Sequence, residues 1–185
     1  MFEEFFDQDE DFVLDLDDAL TAELEGTEWE ARAEALDEDT PIEDRIRLYQ
    51  QIRDAGVLPD DAAFFLIAWP VEIIAEERVQ DIYQSQYNAR FEQLAEEHGL
   101  DEDTLAVLED EELPAEYRAL QLEFAQVVDA LMVAALQSFG EHKMASLYKT
   151  NPEEFDTRYD EGYAYFFGED NGYASDLDVD AEMQD

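Results

Sequence analysis

The sequence contains no cysteine. That removes disulfides and thiol chemistry and leaves the redox compartment unread. Basic residues are also scarce: ten Lys+Arg stand against 52 Asp+Glu, for a net charge of −42. Lysine is nearly missing, present only as Lys143 and Lys149. A polyanion of this kind is repelled by other polyanions, so neither direct nucleic-acid binding nor an anionic membrane is expected. No Gly-rich phosphate loop and no GxSxG occurs, and the four serines suggest no triad. With this many acids, a carboxylate pair at any spacing carries no information about catalysis. The chain is therefore expected to be non-catalytic, with no cofactor. The apolar run AAFFLIAWPV at 62–71 is shorter than the ~20 residues that span a bilayer. The opening MFEEFFDQDED has neither a basic n-region nor an apolar h-region, so a cytoplasmic location is expected.

What is present argues for a folded centre. The hydrophobic fraction is 46%, with 12 Phe, 9 Tyr and 2 Trp. Wholly disordered acidic chains are poor in such residues. A chain of 185 residues is long enough to bury a real core. No basic residue precedes Arg32 or follows Arg158. This suggests an acidic-aromatic arm over 1–26, a helical domain over 27–168 and an acidic tail over 169–185.

Helix punctuation is clear between the arms. Thr27 with Glu30, and Thr40 with Glu43 after Pro41, fit capping boxes. Ile42, Ile46, Tyr49 and Ile52 share one face of a helix expected to stop at Gly56. From Asp60 a long pattern places Phe64, Ile67, Val71 and Ile74, then Tyr83, Tyr87, Phe91 and Leu94, at spacings of three and four. Pro70 is expected to kink or break it near Leu66. Gly99 should end it, with Leu100 folding back and a short helix after Asp101 that turns Leu105 and Leu108 inward. Pro114 opens a helix striped by Tyr117, Leu120, Phe124, Val127, Leu131 and Ala135. Its apolar stretch at 124–136 reads as the central helix of a bundle, with His142, Lys143 and Lys149 gathered near its end. Asn151, Pro152 and Glu154 cap a last helix carrying Phe155, Tyr159, Tyr163 and Phe166, ending near Gly168. Strand signals are weak. The fold expected is all-α: a single-domain bundle of roughly five to seven helices with acidic, partly disordered terminal arms.

Three segments invite functional readings. DQDEDFVLDLDD at 7–18 puts Asp7, Asp9, Asp11, Asp15 and Asp18 at the acidic positions of a calcium loop, with Leu14 at the apolar one. Phe12 occupies the position of the turning Gly, and Asp18 replaces the longer bidentate Glu. Chance matches are easy in so acidic a chain, so no metal site is expected there. The tail acids Asp176, Asp178 and Asp180 read as a solvated end. His98 and His142 lack the Glu-x-x-His spacing of a di-iron bundle, since residues 95 and 139 are Ala and Phe. The rings of Phe2, Phe5, Phe6 and Phe12, and of Tyr163, Tyr165, Phe166, Phe167 and Tyr173, suit either partner docking or packing on the chain itself, and packing is expected for Phe166 and Phe167.

The third segment is the acid-dense middle. Glu92, Glu96, Glu97, Asp101, Glu102, Asp103, Glu109, Asp110, Glu111, Glu112 and Glu116 follow one another with no Lys or Arg between them. Acids three or four apart on a helix lie about 5–6 Å apart, close to the spacing of phosphates along a DNA strand. A bundle carrying such rows presents a DNA-like field to a basic groove. In composition the chain is similar to DNA-mimic proteins as a class. These residues are therefore the candidate partner-binding set, and the expected partner is a basic protein surface, one that otherwise holds nucleic acid. Two alternatives remain. In one, acid excess with little Lys reflects a hypersaline cytoplasm and carries no partner information. In the other, the acids bind divalent cations weakly.

Overall fold

The structure, a computed structural model, describes residues 6–37, 39–105, 107–108 and 112–168. It is all-α. The helices are α1 (Phe6–Glu23), α2 (Glu30–Ala33), α3 (Ile42–Ala55), α4 (Asp60–Val79), α5 (Ser85–His98), α6 (Glu102–Leu105), α7 (Ala115–Ser138), α8 (His142–Thr150) and α9 (Pro152–Phe167). A wider π turn, Gln80–Gln84, joins α4 to α5. The described residues form two compact units, one within residues 6–68 and 153–168, the other within residues 69–152.

The first unit begins with α1, inside the segment expected as an N-terminal arm. From Phe6 the chain is helical, and Leu16, Leu20 and Leu24 are wholly buried. Their four-residue spacing makes one apolar face, which the surrounding acids hide from a composition-based reading. Residues 7–18 lie inside this helix, so they do not form the turning loop that calcium would need. Residues 1–5 and 169–185, with Phe2, Phe5, Tyr173 and the tail acids, lie outside the described residues, as do the side chains of Phe6 and Phe12.

Asp17 on the same helix is buried and accepts two bonds from the Arg45 guanidinium, at 2.6 and 2.7 Å. The Tyr49 hydroxyl donates a third at 3.4 Å. Burial pushes the Asp17 carboxyl up, against the pull of Arg45. Aromatic side chains fill the other half of this unit. Phe64 meets Phe155 edge-on at 5.0 Å, and Phe65 meets Tyr159 and Tyr163 at 5.1 and 5.8 Å. Phe166 lies 6.2 Å from Phe65, and Tyr163 stacks 4.9 Å from Phe167. The rings of α9 are thus used internally. Tyr165 also donates a hydrogen bond to Glu23.

Several boundaries fall where expected. Gly56, Gly99 and Gly168 adopt left-handed backbone at helix ends, and Pro114 and Pro152 stand at helix starts. The capping boxes do not form. Glu30 accepts from the Gly26 amide, one residue too early, while Thr27 accepts from Trp29. Thr40 turns back to Asp37, accepting from its amide at 3.0 Å and donating to its carboxylate at 2.7 Å.

Pro70 does not break α4. Burial of Ala62, Ala63, Phe64, Phe65, Leu66, Ile67, Ala68, Trp69 and Val71 outweighs the ~3 kcal/mol that an internal proline costs. The most deeply buried helix is therefore α4. The expectation for 124–136 is corrected: only 22% of the apolar window of α7 is buried, and Leu122 is 62% exposed.

In the second unit α7 packs against α5 and α8. Tyr87 lies 4.8 Å from Phe124, and Met132, Ala135, Leu136, Met144 and Ala145 are buried. The π turn carries the chain from α4 into α5, and Val79 before it and Tyr87 after it are buried. Gly140, at φ 79°, ends α7. His142 and Lys143 therefore open α8 and do not sit on the last turn of α7. Among the described residues α7 alone is long and apolar enough to cross a bilayer. Of its three acids, Glu123 is engaged by Arg90 and Tyr87 and Asp129 by Tyr148, while Glu116 lies 3.8 Å from His98.

Candidate functional site

The acid-dense middle lies in the second unit, where α5, α6 and the start of α7 come together. Gly99 turns the chain at the end of α5, and the Leu100 amide bonds back to the Ala95 carbonyl at 2.8 Å. Asp101 then caps α6. Its carboxylate accepts from the Thr104 amide at 2.8 Å and from the Thr104 hydroxyl. These bonds, led by the hydroxyl, hold its pKa below the usual carboxylate range. The turn of α6 carries Leu105 back toward α5. Pro114 starts α7, and one turn later Tyr117 lies 5.0 Å from Phe91.

The result is an open groove of about 360 Å³. Phe91, Ala95, Leu100, Leu105 and Tyr117 line it, and Glu92 and Glu96 stand at its edge. All five apolar residues are only partly buried, and both glutamates are exposed. Glu92 and Glu96 are four apart on α5, hence neighbours on one face. Just outside, His98 Nε2 lies 3.8 Å from Glu116 Oε2. On the next face of α5, Arg90 forks onto both oxygens of Glu123 at 2.7 and 2.9 Å. That fork, with the Tyr87 hydroxyl, holds Glu123 down to about 2.

The sequence-predicted set divides accordingly. Glu92 and Glu96 rim the groove. Glu97 is exposed and accepts from Gln93 at 2.8 Å. Asp101 is a helix cap as well as a surface acid. Glu112 and Glu116 are exposed before and within the first turn of α7. Glu102 and Asp103 open α6, but their side chains, and Glu109, Asp110 and Glu111 entirely, lie outside the described residues. The sequence reading missed the groove itself. Phe91, Leu105 and Tyr117 were assigned to the core by their periodicity, and periodicity does not distinguish a covered stripe from an uncovered one. A cleft of this make-up holds an apolar group and attracts a cation beside it.

No family model, no curated protein and no solved structure matches this chain.

Proposed function

We propose that the protein is a non-catalytic, acidic interaction protein that offers a DNA-like negative surface to a basic protein partner. One observation carries the reading: five of the protein's ten Lys+Arg are paired with its own acids. Arg45 pairs with Asp17, Arg47 with Asp44, Arg53 with Asp54, Arg90 with Glu123 and Arg158 with Asp61. With 52 acids against ten Lys+Arg, the carboxylates far outnumber the cations available to pair with them. Rows of such charge speed association with a basic groove and favour partners of the opposite sign. The mechanism is occupancy and charge competition.

The test compares the native chain with a variant in which Asp101, Glu102, Asp103, Glu109, Asp110, Glu111 and Glu112 become their amides. The variant should melt higher at low salt, because self-repulsion falls, and should capture less basic protein from host lysate. Equal capture removes this segment from the binding surface. The salt-adapted alternative makes a different prediction: low melting in dilute buffer that climbs steeply toward molar KCl.

A further inference from the structure

The groove adds something that net charge does not supply. Diffuse negative charge attracts any cation. The stretch between α5 and α7 instead sets an apolar cleft directly beside two carboxylates. Phe91 and Tyr117, 5.0 Å apart, are both only half-buried. Leu100 and Leu105 are held at the edge by the backbone turn at Gly99 and the Asp101 cap. Val107, two residues beyond Leu105, is 78% exposed. The volume, about 360 Å³, is at the lower end of natural ligand pockets, ~300–1,000 Å³, and takes one or two large side chains. Among the described residues no cation pairs with Glu92 or Glu96, which leaves them open to an incoming one.

We infer that this groove is the anchor point for a basic amphipathic segment of the partner: an apolar side chain enters between Phe91, Leu100, Leu105 and Tyr117 while flanking Arg or Lys residues meet Glu92 and Glu96. The inference rests on the acidic-partner reading and makes it more specific. Interfaces draw most of their affinity from a few desolvated anchors, often aromatic, while surrounding charges set rate and orientation. The arrangement therefore selects basic segments that carry an apolar residue over equally basic ones that do not.

The test uses the full chain and three fluorescein-labelled helical peptides. One is Arg-rich with a single Trp, the second has Ser in place of the Trp, and the third keeps the Trp but has Gln in place of every Arg. The Trp-bearing basic peptide should bind about 10- to 100-fold more tightly than its Ser twin. Ala95→Gln, which fills the groove without changing charge, should cut that advantage to about threefold or less, with helix content by circular dichroism unchanged. Glu92→Gln with Glu96→Gln should weaken both basic peptides and flatten their salt dependence. If the Trp and Ser peptides bind alike, the groove is no anchor and this inference fails, while the acidic-partner reading stands. If the neutral Trp peptide binds as tightly as the basic one, the partner need not be basic and the inference fails on charge. If no basic peptide binds even at low salt, the underlying reading fails as well.

Discussion

Arg45 and Asp17, 28 positions apart in the chain, meet in a two-bond ion pair in which both side chains are less than a tenth exposed. In a protein carrying a net charge of −42, a buried carboxylate is tolerable only because this guanidinium accompanies it. Removing one partner of such a pair leaves a buried charge alone. Arg45→Met should therefore cost about 3–5 kcal/mol in urea unfolding. The triple variant D17L/R45M/Y49F, which removes the carboxylate and the hydroxyl that donates to it, should recover most of that loss. A single variant that costs nothing would mean the pair is not buried in solution.

Gly162 provides a second test within the same unit. A Cβ there would lie 2.2 Å from the Asp61 carbonyl oxygen and 2.4 Å from Phe65 Cβ. Helix propensity alone favours Ala over Gly by about 1 kcal/mol. Overpacking should win, so Gly162→Ala should destabilise by about 3 kcal/mol, read from the shift in the denaturation midpoint. A stabilised variant would show that α9 does not approach α4 so closely at this point.

Glu123 yields a pH prediction. Its carboxyl is held at about 2 against an ordinary 4.5, chiefly by the Arg90 fork. A depressed folded-state pKa adds stability above the ordinary value and loses it as pH falls through the folded one. The native chain should thus lose this contribution between pH 4.5 and about 2, and Glu123→Gln should lack that part of the acid transition. Matching acid profiles would contradict the pairing.

The exposure of α7 can be tested by contrasting two leucines on it. Leu122 is 62% exposed and Leu136 is fully buried. Leu122→Glu should change stability by less than about 0.5 kcal/mol, whereas Leu136→Ala should cost about 2–5 kcal/mol. A large loss at Leu122 would restore α7 as the buried helix that its composition suggests.

That contrast also marks how far the sequence could be read. Punctuation was legible because it is local: Gly56, Gly99 and Gly168 take left-handed backbone that other residues resist, and Pro114 and Pro152 suit helix starts. Burial was not, because it depends on which helices meet. An apolar window predicted that α7 would be central, yet α4, with Pro70 inside it, is the more deeply buried. Leu16, Leu20 and Leu24 were passed over because acids surround them. Gly140 was the overlooked signal that separates α7 from α8. At the site, the acids of α5 could be read from the sequence. The cleft beside them depends on Tyr117 reaching Phe91 from 26 residues away, a long-range pairing that no local pattern specifies.

The central claim is that the acidity serves a partner. It is tested most directly by capture from host lysate at moderate salt, with and without excess duplex DNA. The account predicts one dominant basic protein that DNA displaces. A diffuse smear of basic proteins, or no capture at all, would contradict it and leave the charge as an adaptation to salt.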